Sequence, residues 1–208
     1  MASEVKTNKL SPSTGVTVTL GDASDVFQLP ASAEIDIASG ATLDVNGTID
    51  ATGATVTGIS LKPAFSACVN DATVSFSDAT ETKVTLNREI FDSDGAFDPT
   101  TNYRFTVPAG EGGKYLINGG VKFIGTGTAS NAQCLVFKNG SDIANATHSQ
   151  TATSMTSLSM GGTWLLDLSA ADYLELYVYL DVASGVIQYN GNATSQRTWM
   201  SGFKLLGI

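Results

Sequence analysis

The chain has 208 residues, of which 42% are hydrophobic and only 15% are charged, so its composition is that of a folded protein and not of a disordered one. Its formal net charge of −9 disfavours electrostatic binding to nucleic acid or to an anionic membrane. No apolar run approaches the roughly 20 residues of a membrane-spanning helix. The negative charge therefore leads us to expect no nucleic-acid binding, and the lack of a long apolar run leads us to expect no membrane insertion.

Residues 1–60 differ from the rest of the chain in aromatic content, because Phe27 is the one aromatic residue among them and the other sixteen lie in residues 61–208. Since aromatic side chains supply much of a core's buried area, the first sixty residues are not expected to build a core alone.

Residues 1–6 lack the apolar core of a secretory signal. We therefore expect a chain that stays in the cytosol that made it, or leaves by another route such as lysis of the host.

The apolar residues of this first segment alternate with polar ones, which is typical of short strands with one buried face. The alternation includes Val16, Val18, Leu20, Phe27, Leu29, Ile35, Ile37, Leu43 and Val45, and glycines such as Gly40 and Gly53 separate the strands as turns. Short strands of small residues need neighbours to bury their apolar face. Residues 1–60 are therefore predicted to form a β-structured shaft or attachment segment with several copies side by side. The alternative is a leader that becomes ordered only on its partner.

Residues 61–208 show strand signals at steady intervals and no long amphipathic helix. Runs rich in Val, Tyr, Phe, Leu and Thr predict strands at 64–69, 82–91, 103–107, 114–124, 133–138, 163–168, 173–180 and 198–206. Polar stretches at 92–95, 138–141 and 190–192 predict the turns between them. Many short strands with polar turns favour an all-β sandwich or jelly roll.

The sequence contains no constellation for catalysis. A nucleophilic triad needs a base beside its nucleophile, and the single histidine, His148, lies in a polar run that predicts a solvated loop. Asp92, Asp94 and Asp98 superficially resemble a calcium loop, but the twelve-residue spacing with a terminal glutamate is missing. We therefore expect no enzyme, no cofactor and no metal site, and interpret 92–98 as a turn that caps strands.

The two cysteines, Cys68 and Cys134, form no metal-binding cluster. A disulfide between them is possible, but two cysteines 66 positions apart specify no pairing. Without a secretory signal, two buried free thiols are expected.

Three sequence signatures occur in order over residues 61–208. The first comprises Phe91, Phe97-Asp98, Phe105 and Gly113-x-Tyr115; the second is the strand 172–178 beginning Asp172-Tyr173; the third is the C-terminal Ser201-Gly202-Phe203. Together they resemble the globular head of complement component one, subcomponent q, a branch of the tumour-necrosis-factor-like superfamily. The loop 109–112 is longer than in that family, Asn118 and its neighbours replace an expected aromatic, and Ala171 replaces a glycine.

This resemblance implies a trimeric jelly-roll β-sandwich with a binding role. In the family, aromatic residues of the inner sheet pack around the three-fold axis, and Tyr115, Tyr177 and Phe203 stand in matching strands. They are the predicted trimer-interface residues, with an ordinary core role as the alternative. Ligand-contact residues are not predicted, since binding loops vary freely on such scaffolds.

The N-terminal segment shows a second resemblance. Residues 3–12 (SEVKTNKLSP) and the Gly-Ala-Thr-Leu and Asp-Val-Asn-Gly-Thr runs after them look like the start of short fibre proteins of marine tailed bacteriophages. The combination implies a phage virion appendage, a tail or head fibre assembled in the host cytoplasm. Residues 1–60 would attach to other virion proteins, and the trimeric head, residues 61–208, would bind a host-surface glycan or protein receptor. The alternatives are a capsid decoration or cement protein and a bacterial extracellular adhesin.

Overall fold

The computed structural model describes residues 26, 29, 34–53 and 61–206, with the backbone alone for residue 126 and residues 145–155. The chain divides into two compact units, Met1–Thr55 and Val56–Ile208. This division lies close to the predicted boundary after residue 60. Within the described ranges, no helix is long and apolar enough to cross a bilayer.

The described part of the first unit forms turns but no strand. Turns lie at residues 39–40 and 52–53, where Gly40 and Gly53 have positive φ, as predicted. The predicted strands around Ile35 and Leu43 have irregular backbone instead, and both side chains are exposed. The predicted strand at 16–20 lies outside the described residues. Among the described residues of this unit no strand pairs with these alternating residues, and an unpaired strand leaves its backbone groups without partners.

The second unit is built from antiparallel strands. Its described residues form β1 (Ala64–Cys68), β2 (Thr73–Ser75), β3 (Thr82–Lys83), β4 (Arg88–Asp92), β5 (Phe97–Asp98), β6 (Arg104–Thr106), β7 (Gly113–Lys138), β8 (Ser141–Leu168), β9 (Tyr173–Gly185), β10 (Gln188–Asn190) and β11 (Trp199–Lys204).

These strands form two layers because the two longest strands bend from one layer to the other. The front layer runs β4, β1, β11, the first half of β7 and the second half of β8. The back layer runs β5, β6, β9, the second half of β7 and the first half of β8, with β3 also on β9. β10 links β2 to the middle of β7.

The bend in β7 lies where its register with β8 is interrupted, between Ile124 and Gly127 and again near Ala129. Two glycines permit the close approach of backbone there. A Cβ on Gly125 would lie 2.0 Å from the carbonyl oxygen of Val186, and one on Gly127 would lie 2.2 Å from that of Ser184. Irregularities of this kind increase strand twist and let a strand turn a corner.

The core lies between the two layers. Phe65 of β1 stacks on Phe105 of β6 with ring centroids 4.4 Å apart, so side chains of the two layers are in contact. Gly119 of β7 faces Leu176 of β9 so closely that a Cβ would lie 3.0 Å from the Leu176 methyl. Full burial of one such side chain stabilises the fold by about 1.5–3 kcal/mol, so this shared core holds the layers together.

The structure corrects several predicted elements. The predicted strand 82–91 is two strands, β3 on the back layer and β4 on the front layer, because residues 84–87 cross between the layers. The predicted strands 114–124 and 133–138 are one strand, β7. The predicted turn at 190–192 begins inside β10, whereas Asn139 and Gly140 both have positive φ and form the predicted hairpin turn.

Candidate functional site

The outward face of the front layer carries a row of apolar side chains. Strand register places Leu165, Leu116, Phe203 and Ala64 side by side on four neighbouring strands. Directly paired residues point to the same face of a sheet, and the alternate positions Tyr115 and Phe65 point into the core. The row therefore faces outward, and Leu165 is 69% exposed. We call these four residues the apolar row.

The next row along the same face is also uncharged. It consists of Thr163, Asn118, Ser201, Ser66 and Phe91 in register. The Thr163 hydroxyl donates to Asn118 Oδ1 at 2.7 Å, and Phe91 at the sheet edge is 52% exposed. Two adjacent rows thus lack any charge on a protein whose net charge is −9.

A third row on this face contains Gly161, Gly120, Trp199, Cys68 and Arg88. Gly161, Gly120 and Trp199 of this row line a depression of about 430 Å³, together with residues that include Ser159, Thr163 and Arg197. A second depression, of about 370 Å³, lies at the end of the back layer and is lined by residues 94–98 and by Asn102, Arg104, Thr106, Val107 and Pro108.

The three predicted interface residues occupy different surroundings. Tyr115 is fully buried within one protomer, where its hydroxyl donates to the Glu111 carbonyl at 2.6 Å and burial raises its pKa to about 12. Phe203 is half-buried in the apolar row. Tyr177 is half-buried on the outward face of the back layer. Of the three, Phe203 and Tyr177 therefore offer surface to a second copy, and their role in a trimer stays a prediction.

Tyr177 belongs to a well-packed patch on the back layer. Its ring stacks on Phe137 at 3.9 Å between centroids. Beside it, the buried carboxylate of Glu175 forms an ion pair with Lys83 at 2.5 Å. Arg104 lies over the ring of Tyr173 at 4.1 Å. The patch is thus occupied by contacts within the protomer.

Two of the three acidic residues in 92–98, Asp92 and Asp98, accept hydrogen bonds from backbone amides. Asp92 accepts hydrogen bonds from the amides of Asp94 and Phe97. Asp98 accepts from the amides of Thr100, Thr101 and Asn102, and these bonds hold its pKa well below the usual range. Over the described residues, no group of three or more His, Cys, Asp or Glu side chains is arranged to hold a metal ion. Residues 93–95 connect β4 to β5, which fits the turn predicted at 92–95.

The structure corrects the predicted loop position of His148. Its backbone lies in β8 opposite Ala132, because the polar segment 141–155 pairs along the second half of β7. The composition of that segment resembles a loop, yet cross-strand pairing overrides it.

Both cysteines are free and buried, as predicted. Burial raises the pKa of Cys134 to about 12 and also raises that of Cys68. Since the thiolate is the reactive form of cysteine, a raised pKa makes both thiols poor nucleophiles.

The comparisons with known proteins concern the fold. No family model matches the chain, and no curated protein matches it either. Among solved structures, the globular domain of zebrafish complement 1qA protein is similar to it at 17% identity and a TM-score of 0.46, covering 69% of this chain and 98% of that one. Murine APRIL has 14% identity and a TM-score of 0.49, covering 68% and 98%. Eiger TNF from S. frugiperda has 14% identity and a TM-score of 0.47, covering 70% and 93%.

The fold is the complement-like and tumour-necrosis-factor-like jelly roll. The antiparallel order β4, β1, β11, β7 against β9, β6, β5, with a core between the layers, confirms this prediction from the sequence signatures. At such low identities the similarity says nothing about partners or ligands.

Proposed function

We propose that the chain is the subunit of a homotrimeric bacteriophage virion appendage, a tail or head fibre, whose head binds host-surface molecules. The head is residues 61–208, and residues 1–60 attach it to other virion proteins. The single observation that carries this proposal is the uncharged outward face of the front layer, with the apolar row at its centre.

Self-association follows from the chemistry of that face. An exposed contiguous apolar surface usually marks an interface, and Leu165 alone leaves most of its side chain in solvent. Two copies with a net charge of −9 repel each other unless they meet where charge is absent. The two uncharged rows offer such a place. A closed ring of three needs a heterologous contact, which permits one copy to bring this face and another copy a different surface.

The first unit supports the attachment role. Its described residues expose Ile35, Leu43 and Ile49, the last by 72%. Ile35 and Leu43 each alternate with a second exposed apolar residue, Ile37 and Val45, so these segments suit strands that gain neighbours on assembly with other copies or with the particle. The resemblance of residues 3–12 to phage fibre proteins supports a location in the virion.

Binding, and not catalysis, is the mechanism that we propose for the head. Both cysteine thiols are buried, which disfavours a nucleophilic role for them. Three weak sites on one rigid unit gain avidity through their effective concentration. Glycans are the class of surface molecule for which weak multivalent binding is most useful.

Two measurements test this proposal. Light scattering of the full chain should give three times the protomer mass of 21.6 kDa, and pre-incubation of host cells with the protein should block adsorption of the virus. A monomer would contradict the proposal. Undiminished adsorption combined with fragile particles on deletion of the gene would instead identify a decoration protein that clamps the shell.

A further inference from the structure

The depression around Trp199 has two paired glycines at its centre. Gly120 and Gly161 pair opposite each other, and Trp199 pairs with Gly120 from the other side. A Cβ on Gly120 would lie 2.7 Å from Trp199 Nε1 and 3.1 Å from Cε2, so the indole edge lies over the bare backbone of Gly120. The half-exposed indole covers the buried Gly120, and the exposed backbone of Gly161 lies beside it, so the indole and Gly161 form one platform that is open to solvent. Its volume of about 430 Å³ lies within the range of small-molecule sites, about 300–1,000 Å³.

The polar groups around this platform are a cation and two hydroxyls. Arg197 is exposed, and its Nη1 donates to the side-chain oxygen of Asn190 at 2.7 Å. That contact orients the guanidinium without neutralising it, because the partner is an amide. Ser159 and Thr163 are exposed on the opposite side, where the Thr163 hydroxyl donates to Asn118 Oδ1 and keeps its lone pairs for a donor from a ligand. Although the chain has 20 acidic residues, none of the described residues that line the depression is acidic.

These groups match one ligand chemistry. The C–H face of a sugar ring packs on an indole, sugar hydroxyls exchange hydrogen bonds with serine and threonine, and a guanidinium binds a carboxylate in bidentate fashion. We propose that the depression at Trp199 binds an acidic saccharide unit, a uronic or sialic acid, of a surface glycan. This inference rests on the proposed adhesive function and names the ligand class of the head.

The centre of the site lies apart from the apolar row, although Thr163 belongs both to the second uncharged row and to the lining of the depression. Each of its central residues, Gly161, Gly120 and Trp199, lies four positions along its strand from a member of the apolar row. Four strand residues span roughly 13 Å, so packing on the apolar row leaves the platform open.

The test is calorimetric titration of the full-length protein with trigalacturonic acid and with neutral galactotriose. The acidic trisaccharide should bind about tenfold or more tightly than the neutral one, since one charge-assisted contact distinguishes them. Trp199→Ala and Arg197→Gln should each weaken it by a similar factor, while Trp199→Phe retains most of the affinity. Arg104→Gln, which removes a cation from the back layer, is the matched control and should bind like the wild type. In a Trp164→Phe background, the ligand should also change the emission of the remaining tryptophan.

Equal affinity for both trisaccharides, no binding of either, or unchanged affinity in Arg197→Gln would overturn the proposed site. Arg197 is exposed, so its variant keeps the test valid if Trp199→Ala fails to fold.

Labelling of host cells separates this inference from the adhesive function. If Trp199→Phe/Arg197→Gln labels cells as well as the wild type does, adhesion stands and this site is wrong. If the wild type binds trigalacturonic acid but labels no cells, the site stands and adhesion is wrong.

Discussion

Asn139 and Asp172 join two turns at one end of the sandwich. The Asn139 side-chain amide donates to Asp172 Oδ1 at 2.7 Å, while its oxygen accepts from the amide of Tyr173 at 3.0 Å. Lys138 lies 2.7 Å from the second carboxylate oxygen, which also accepts from the amide of Ser169. The β7–β8 hairpin is thereby fixed to the start of β9.

These contacts make stability dependent on pH. Hydrogen bonds to Asp172 from the side chains of Lys138 and Asn139 and from the Ser169 amide lower its pKa to about 2, from a usual 3.8. A lowered folded pKa contributes stability that is present above pH 4 and is lost as the pH falls towards 2. Asp172→Asn should therefore lower the free energy of unfolding at pH 7, and the difference from the wild type should shrink between pH 4 and pH 2. Urea unfolding across this range is the measurement.

A double-mutant cycle tests the contact itself. Asn139→Gly removes the amide while keeping a residue that accepts the positive φ of 52° at this position. Combined with Asp172→Ala, which removes the acceptor oxygen, it should cost less than the sum of the two single changes, by about 0.5–3 kcal/mol. Strictly additive losses would show that the Asn139–Asp172 bond contributes nothing.

The packing between the layers gives a second prediction. Gly119→Ala places a methyl group 3.0 Å from the Leu176 side chain and 3.4 Å from Trp164, which should cost about 1–3 kcal/mol through overpacking. In a Leu176→Val background the same change should cost less, because valine lacks the Cδ1 methyl group that the new Cβ would crowd. Thermal unfolding of the four proteins measures both effects. Gly112→Ala is the control, since its Cβ would meet its nearest neighbour at an ordinary 3.4 Å.

Elements with local signals could be predicted from sequence, and elements defined by long-range pairing could not. The Asn139-Gly140 turn and the strand β1 carry their own turn or strand chemistry. Whether the predicted strands 114–124 and 133–138 are separate depends on β8, which pairs along both and makes them one. The same dependence explains His148, whose polar neighbours are in a strand because β7 is beside them.

The candidate interaction face was only partly visible in the sequence. The Ser201-Gly202-Phe203 signature identified one member of the apolar row. The exposure of Leu116 and Leu165 on an interaction face could have been predicted, since residues 115–117 and 164–166 are apolar at consecutive positions. A strand that is apolar on both faces is covered on both. The platform at Trp199 had no such signal, because only the register places Gly120 and Gly161 beside it.

The cysteines provide a third prediction. Both thiols are buried and their pKa values are raised, that of Cys134 to about 12. Ellman's reagent at pH 8 should therefore leave the native protein unlabelled and should modify 2 thiols per chain in urea. Rapid labelling of the native protein would contradict the described burial. Cys134→Ser should bring a polar hydroxyl into the core and lower the urea midpoint, whereas Cys134→Ala should lower it less if burial of a polar group is the main cost.

The apolar row gives the last prediction. Leu165→Lys places a charge at a position that is 69% exposed, so it should hardly change the stability of a protomer but should dissociate the trimer through desolvation of the lysine at the contact. Phe203→Ala should also yield monomers or insoluble chains. Ile143→Lys is the matched control, because Ile143 is 42% exposed on a part of β8 that belongs to the back layer. Sedimentation equilibrium distinguishes the cases. If Leu165→Lys stays trimeric while Ile143→Lys dissociates, the contact lies on the back layer, with Tyr177 at its centre and not Phe203.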